Sequence, residues 1–560
     1  MVNVKSLEDV YDYLGPVSYY QIYLIILVSY NGILSSLVGQ MVVFTQAVPE
    51  HFCRSNDGGL DFSKIPKIKN EKCGSDAYIY SQCQQYEEST ANHAANTSTS
   101  MTTKIPCQNG YIWDNSTFSS TFVTEYNLVC TPSNLFFQIL IFSIFYLGGV
   151  LGSFISGWIS DTYGRKWCFI SSLCVSVFSI VLAGFTQNIY TYLFFRFLQG
   201  AARSSGYSVA SVYLIEIIPK TYRSAAGFSI HQTYCLGEIV IAGLAFYIRD
   251  WRVLCKSCII FLVPVFLMMR IPESPAFLFS KGELEEASRV YMMFSTRKSA
   301  SVAKVEEILV ELSSSTGSEN PKQSKQHQTT IKDLFTQSKN LILIIAKTSF
   351  LWTANSIIMD GLSLGVGSLP GSIFTSVVIY GVIDLLSNLI SPRLIDLKFL
   401  GRRYAISGGH FLASLCCLGT TLTVFYMPCD IDENANDSTE SINNINLAFS
   451  FLGRFFITGA GFSICQWMNE LFPTPIRSNG LAFAQIICKL GSTVTPAILV
   501  LREIREWLPG LVFCVLGLMT GFVSVTLPET RDVSTLSSFE EAEKLYLVEK
   551  KSRKISRTAT

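Results

Sequence analysis

The chain has 560 residues, 49% hydrophobic and only 15% charged, and its 43 basic and 42 acidic side chains leave a net charge of +1. A soluble domain carries about 25% charged residues, and nucleic-acid binding needs a basic field that this balance lacks. No Walker loop, dinucleotide fingerprint or HExxH pair is present, so enzyme and nucleic-acid-binding classes are set aside and neither a cofactor nor a metal is expected.

Residues 1–19 do not read as a signal peptide, because no charged start is followed by a short apolar core and a cleavage site. The first apolar block, Tyr20 to Phe44, has the length that spans about 30 Å of hydrocarbon at 1.5 Å per residue. Residues 45–133 are polar, with Cys53, Cys73, Cys83, Cys107, Cys130 and the glycosylation sequons at Asn96 and Asn115, and read as a large extracellular loop. Further blocks at 135–158, 167–187, 191–214, 225–248 and 253–271 complete a first set of six. Residues 272–339 form a charged linker whose centre, Ser313 to Thr330, is too polar to fold alone. A second set of six lies at 340–361, 372–392, 404–427, 447–467, 479–501 and 508–527, ahead of the charged tail 528–560. The expectation is an all-α membrane protein of twelve helices, with bundles at 20–271 and 340–527.

Arg165/Lys166, Lys220/Arg223, Lys398/Arg402/Arg403 and Arg477 fall on one side with the linker and the basic tail. By the positive-inside rule that side is the cytoplasm, and both termini lie on it. The halves repeat each other. Asp161-Thr-Tyr-Gly-Arg165 is echoed by Asp396 and Gly401-Arg402-Arg403 with two extra residues, and Glu216 to Arg223 and Glu470 to Arg477 both read E-x-x-P-x-x-x-R. Each of the latter follows an arginine segment, at Arg196 and Arg454. Repeated six-helix halves with matching loops are the signature of a transporter that rocks one half against the other. The gating residues are expected to be Asp161 with Arg165, the pairs Glu216/Arg223 and Glu470/Arg477, and Asp396, in ion pairs between the halves and at helix ends that hold the cytoplasmic side closed. The alternative is static anchoring.

These motifs resemble the major facilitator superfamily, and within it the organic cation, anion and zwitterion transporters of solute carrier family 22. The likeness covers nearly the whole chain: Leu14-Gly15 and Gln21, the cysteine loop with Cys107-Gln-Asn-Gly-Tyr and Glu125 to Cys130, Asp161 to Arg165, Pro272-Glu-Ser-Pro275 and Leu527-Pro-Glu-Thr530. Ala276-Phe277 stand where the family usually has Arg-Trp. The resemblance implies two pseudo-symmetric six-helix bundles and alternating-access transport of small organic ions across the plasma membrane, without covalent chemistry. Membrane lipid, the organic ion, and an exchange substrate or coupling ion are the implied partners. A substrate-sensing receptor on the same scaffold is the alternative of another class.

Ionisable side chains inside a bilayer cost at least about 2.5 kcal/mol at its centre and turn to a partner or water. Arg203, His231, Glu238, Asp384 and Lys489 lie mid-span. Arg196, Gly200, Arg203 and Tyr207 share one helix face, as do His231, Tyr234 and Glu238, and the two faces are expected to line one cavity. A structural ion pair such as Arg203 with Glu238 is the bland alternative. Matched to the family, Tyr207, His231, Tyr234, Trp352, Asp384 and Lys489 fall at or near its substrate cavity, the aromatics offering apolar area and π-faces. The resemblance also bears on substrate charge: at the Lys489 position cation carriers tend to have Asp, and anion and carnitine-type carriers Arg. Organic anions or zwitterions are therefore expected, with cations as the alternative.

Ten of the sixteen cysteines lie in or beside the spans. The first loop holds an odd number, five, so Cys429, beside the sequon at Asn436, is expected to pair with one of them.

Overall fold

The computed structural model describes residues 7–54, 67–69, 78–86, 104–297, 300–317, 339–397, 400–426, 436–473, 476–531, 536 and 540–546. Among them run α1 (Tyr19–Thr45), α2 (Pro132–Tyr163), α3 (Arg165–Ala183), α4 (Ile189–Ile217), α5 (Arg223–Tyr247), α6 (Trp251–Met268), α7 (Lys339–Leu364), α8 (Ile373–Ile395), α9 (Gly401–Phe425), α10 (Asn436–Leu471), α11 (Arg477–Ser492) and α12 (Leu508–Val525). Ten of these segments are long and apolar enough to cross a bilayer; α4 and α5 are equally long but more polar. The expected twelve spans are therefore present, and the two polar ones carry Arg196, Arg203, His231 and Glu238.

Local chemistry starts the helices. Ser18 and Gln21 form a reciprocal cap on α1, Thr131 caps α2 with Pro132 in its first turn, and Asn188 caps α4. Pro264 breaks α6 into two short helices joined by a 3-10 turn, and α11 stops at Ser492, just past Lys489, before restarting at Thr495–Val500. The outer faces are apolar: Ile26, Leu151, Phe154, Ile155 and Trp158 are all exposed. Water would not tolerate such a surface, whereas lipid does.

The halves α1–α6 and α7–α12 meet along α5 against α8 and α2 against α11. Gly381 makes the first contact close, since a Cβ there would stand 3.1 Å from the Cys235 carbonyl oxygen. At the end of the bundle where residues 45–133 emerge, the loop end, Phe374 of α8 is packed by Phe44, Phe118 and Phe246 at 5.8, 5.4 and 5.7 Å between ring centroids. This aromatic plug joins the halves on that side. At the opposite, linker end, Phe462 meets Phe228 and His231 at 5.4 and 6.0 Å.

In the loop, His51–Cys53 pairs antiparallel with Tyr111–Trp113, and disulfides join Cys53 to Cys107 and Cys83 to Cys130. Asn115 is exposed. Cys73, Asn96 and Cys429 lie outside the described residues, as does the side chain of Asn436. The loop is clamped to α6 through Glu125, which accepts from Arg252 Nη2 at 2.6 Å and from Trp251 Nε1 at 2.9 Å. Burial alone would push the Glu125 carboxyl up, but these two donors outweigh it and hold it below the usual carboxylate range.

Candidate functional site

A cavity of about 330 Å³ lies between the halves, lined from α1, α2, α4, α5, α7, α8, α10 and α11. Arg203, Tyr207, His231, Tyr234, Trp352, Asp384 and Lys489 all line it. The helical spacing that grouped residues on α4 and α5 thus converges on one space, where the Tyr207 hydroxyl and His231 Nε2 lie 3.2 Å apart.

Two of the grouped residues do not line it: Arg196, which is buried and donates to Gln199 Oε1 at 2.7 Å, and Glu238. Glu238 lies behind the lining, 1% exposed, one turn beyond Tyr234 toward the loop end, against Gln40 and Arg454, which themselves line the cavity. The Arg203–Glu238 ion pair is not formed either. Arg454 of α10 takes that place: its Nη2 lies 2.6 Å from Asp384 Oδ2 and 3.4 Å from Glu238 Oε1, and its Nε donates to Asp384 Oδ1 at 2.9 Å. Asp384 also accepts from Thr458 Oγ1 at 2.6 Å, so this lining carboxylate is already neutralised.

Two cations facing the cavity have no carboxylate partner among the described residues. The Arg203 guanidinium sits between the rings of Phe145 and Tyr234, 5.6 and 5.8 Å from their centroids. Lys489 Nζ crosses from α11 to α2, donating to Ser153 Oγ at 2.5 Å and to the Gly149 carbonyl at 3.4 Å. Opposite them stands Asp360 of α7, which accepts from Ser356 Oγ at 3.3 Å and adjoins Tyr146. Reading 340–361 as a span placed Asp360 at its edge and passed it over, yet Trp352, Ser356 and Asp360 follow i, i+4, i+8 and mark one face. The repeated motif marks Arg454 only as its neighbour in sequence, and the signal for its role is its place inside the tenth apolar block, 447–467. The arrangement offers cationic donors for a carboxylate, an acidic group for an ammonium, and Tyr207, Tyr234, Trp352 and Phe462 for an apolar body.

At the linker end the two halves use one device twice. Arg165 pairs with Asp161 at 3.1 Å and Glu216 at 3.2 Å; Arg402 pairs with Asp396 at 3.3 Å and Glu470 at 3.0 Å. Neither α3 nor α9 has a side-chain cap from its own N-cap residue. Instead the Glu273 carboxylate accepts from the backbone N–H groups of Arg165 and Lys166, and Glu529 from those of Arg402 and Arg403, each sitting on the positive end of a helix. The Pro272-Glu-Ser-Pro275 and Leu527-Pro-Glu-Thr530 motifs thereby acquire a physical role. Two expectations are corrected. Glu216 pairs with Arg165 rather than Arg223, which reaches Glu8 at 2.5 Å, and Glu470 is held by Arg402 and Thr530 while Arg477 Nε donates to the Phe472 carbonyl. These contacts run within each half and not between halves, because the arginine opening α3 or α9 is nearer the glutamate than the one seven residues further along the chain.

A profile of the family described as "Sugar (and other) transporter" matches residues 72–546. The chain is similar to solute carrier family 22 member 2 of Mus musculus, at 27% identity over 98% of each chain. It is also similar to the beta-alanine transporter of Drosophila melanogaster, at 27% identity over 90% of this chain and 83% of that one. In fold it resembles the inward open conformation of the xylose transporter XylE from E. coli, with a TM-score of 0.62 at 15% identity, covering 94% of this chain and 100% of that one.

Proposed function

The chain belongs to the sugar (and other) transporter family, as a solute carrier family 22 type member of the major facilitator superfamily, and on that premise we propose that it carries small organic anions or zwitterions across the plasma membrane by alternating access. Its family and fold are those of multi-pass membrane transporters, not enzymes. The observation that carries the substrate reading is the pair of cavity cations, Arg203 and Lys489, without a carboxylate partner among the described residues. A half-buried cation of this kind rewards an incoming carboxylate with charge-assisted hydrogen bonds. Asp360 faces the same space and suits an ammonium group, so an amino acid with separated charges fits both ends. The fly relative's name, a beta-alanine transporter, points to a substrate of this class.

Bundles 20–271 and 340–527 are the rocking units in this reading, and the linker end is cytoplasmic, with residues 1–19, 272–339 and 528–560 on that side. Asp161, Arg165, Glu216, Arg223, Asp396, Glu470 and Arg477 brace each half internally as it rocks. Asn96, Asn115 and Asn436 carry glycans on the opposite face. A second reading, transport of organic cations, is favoured by the relatives named organic cation transporters and by Asp360 beside aromatic rings.

Uptake by cells expressing the full chain separates these. Benzoate, β-alanine, carnitine and tetraethylammonium are compared in the parent and in Lys489→Asp. The anion and zwitterion reading expects β-alanine, carnitine or benzoate uptake in the parent, lost in the variant. Uptake of tetraethylammonium alone by the parent establishes the cation reading instead.

A further inference from the structure

We propose that Glu238 is a proton-binding site that couples substrate movement to a proton gradient, by holding the two halves together at the loop end when ionised and releasing them when protonated. The proposal takes the transport reading above as its premise.

The geometry is that of two carboxylates sharing one guanidinium. Arg454 gives its best contacts to Asp384, and its Nη1 donates to the Met359 carbonyl at 3.0 Å and to Ser363 Oγ at 2.5 Å. Glu238 receives only the 3.4 Å approach of Nη2 and one short bond to Oε1, from Gln40 Nε2 of α1 at 2.6 Å. Its other oxygen, Oε2, is buried and has no hydrogen-bond partner. An ionised carboxylate with an open oxygen in a dry interior is expensive, and like charges on the neighbouring Asp384 make it more so. A proton on Oε2 removes the charge and turns an orphan acceptor into a donor beside Asp384. The chemistry is simple: the proton leaves water, an O–H bond forms at Oε2, and nothing is oxidised or reduced.

Position makes the site a coupling element. Glu238 belongs to α5 in one half, whereas Arg454 and Asp384 belong to α10 and α8 in the other. The groups that face this cluster are Gln40 from α1, Tyr234 and Cys235 from α5 itself, Asp384 and Tyr380 from α8, and Arg454 from α10, with Arg203 of α4 and Asp360 of α7 beyond Tyr234. Arg454 is the one cation among these that touches Glu238, so losing the Glu238 charge cuts the ionic link across the halves between the cavity and the Phe374 plug. An ionised Glu238 pulls on Arg454 and favours closure at the loop end; a protonated one lets α5 and α8 part. Asp384 is matched on both oxygens by Arg454.

The test uses the purified full chain in liposomes, with the membrane potential clamped to zero by potassium and valinomycin and radiolabelled β-alanine as probe. One-to-one coupling converts each pH unit of inward proton gradient into about tenfold accumulation of the probe. Glu238→Gln should lose that accumulation yet keep tracer exchange at equal pH, and Glu238→Asp should keep both. Accumulation in the parent that ignores the gradient, follows sodium instead, or survives Glu238→Gln overturns the proposal. A second readout needs no substrate. Infrared difference spectra of the purified protein between acid and alkaline pH should contain a protonated-carboxyl band that Glu238→Gln removes and Glu238→Asp restores. Absence of that band refutes the site whether or not the probe moves, whereas a band present with no probe transported counts against the transport reading alone.

Discussion

Replacing Lys489 by methionine keeps the length of the side chain and removes its charge, and the consequence for substrate choice can be worked from its surroundings. Lys489 is half-buried on the cavity wall, bonded to Ser153 and Gly149 but to no carboxylate among the described residues. A substrate carboxylate that reaches it makes a charge-assisted bond worth about 1.5–3 kcal/mol, so its loss raises KM roughly tenfold to 150-fold for β-alanine or benzoate. The same change also cuts the α2–α11 tether, which affects turnover for every substrate alike. The informative quantity is therefore the ratio of KM for the carboxylate to KM for tetraethylammonium, which should rise by that factor because the cation loses only a repulsive neighbour. Concentration-dependent uptake, normalised to surface-labelled protein, supplies it. A ratio within about twofold of the parent refutes the reasoning and leaves Lys489 as a structural tether.

Three further outcomes are expected. Glu125 is held below its ordinary range by Arg252 and Trp251, so its contribution to stability is complete above about pH 4.3, the unfolded value, and is lost as the pH falls through the lower folded one; melting curves should drop in that acid window for the parent and be flatter for Glu125→Gln, and equal slopes contradict the clamp. Gly164 (φ +104°) and Gly401 (φ +63°) would each drive a Cβ into a capping carboxylate, 2.3 Å from Glu273 Oε2 and 2.6 Å from Glu529 Oε2. Alanine at either should destabilise the purified protein by about 1 kcal/mol or more, read as a lower Tm, and an unchanged Tm argues against the shared cap. Peptide mapping without reduction should recover the Cys53–Cys107 and Cys83–Cys130 links together with the expected link from Cys429 to a cysteine of the first loop, and Cys429 as a free thiol counts against the last.

Much of the fold was legible because hydrocarbon thickness imposes its length on the sequence: the block from Tyr20 to Phe44 became α1 at Tyr19–Thr45. Even the polar α4 and α5 were readable, since their charged residues repeat on one face. The cavity followed from the same periodicity, which brought Arg203, Tyr207, His231 and Tyr234 together. Pairing was not legible. Glu238 and Arg454 are 216 residues apart and in different halves, and no local pattern says which arginine a buried glutamate meets. The loop motifs failed for a related reason: Glu216 and Arg223 are close along the chain, but the backbone turn at Pro219 sends Arg223 toward Glu8. The caps from Glu273 and Glu529 depend on chain segments that return to a helix start from more than a hundred residues away. Asp360 escaped because a charge at the edge of an apolar block reads as its end, while α7 in fact continues to Leu364.

The central claim is that a substrate's anionic group is received by Lys489 and Arg203 in the cavity between the halves. Cryo-electron microscopy of the purified chain with saturating β-alanine tests it most directly. The account predicts substrate density in the cavity with its carboxylate within hydrogen-bond reach of Lys489 or Arg203 and its ammonium toward Asp360. Substrate bound with its carboxylate away from both cations, or bound outside this cavity, would contradict it.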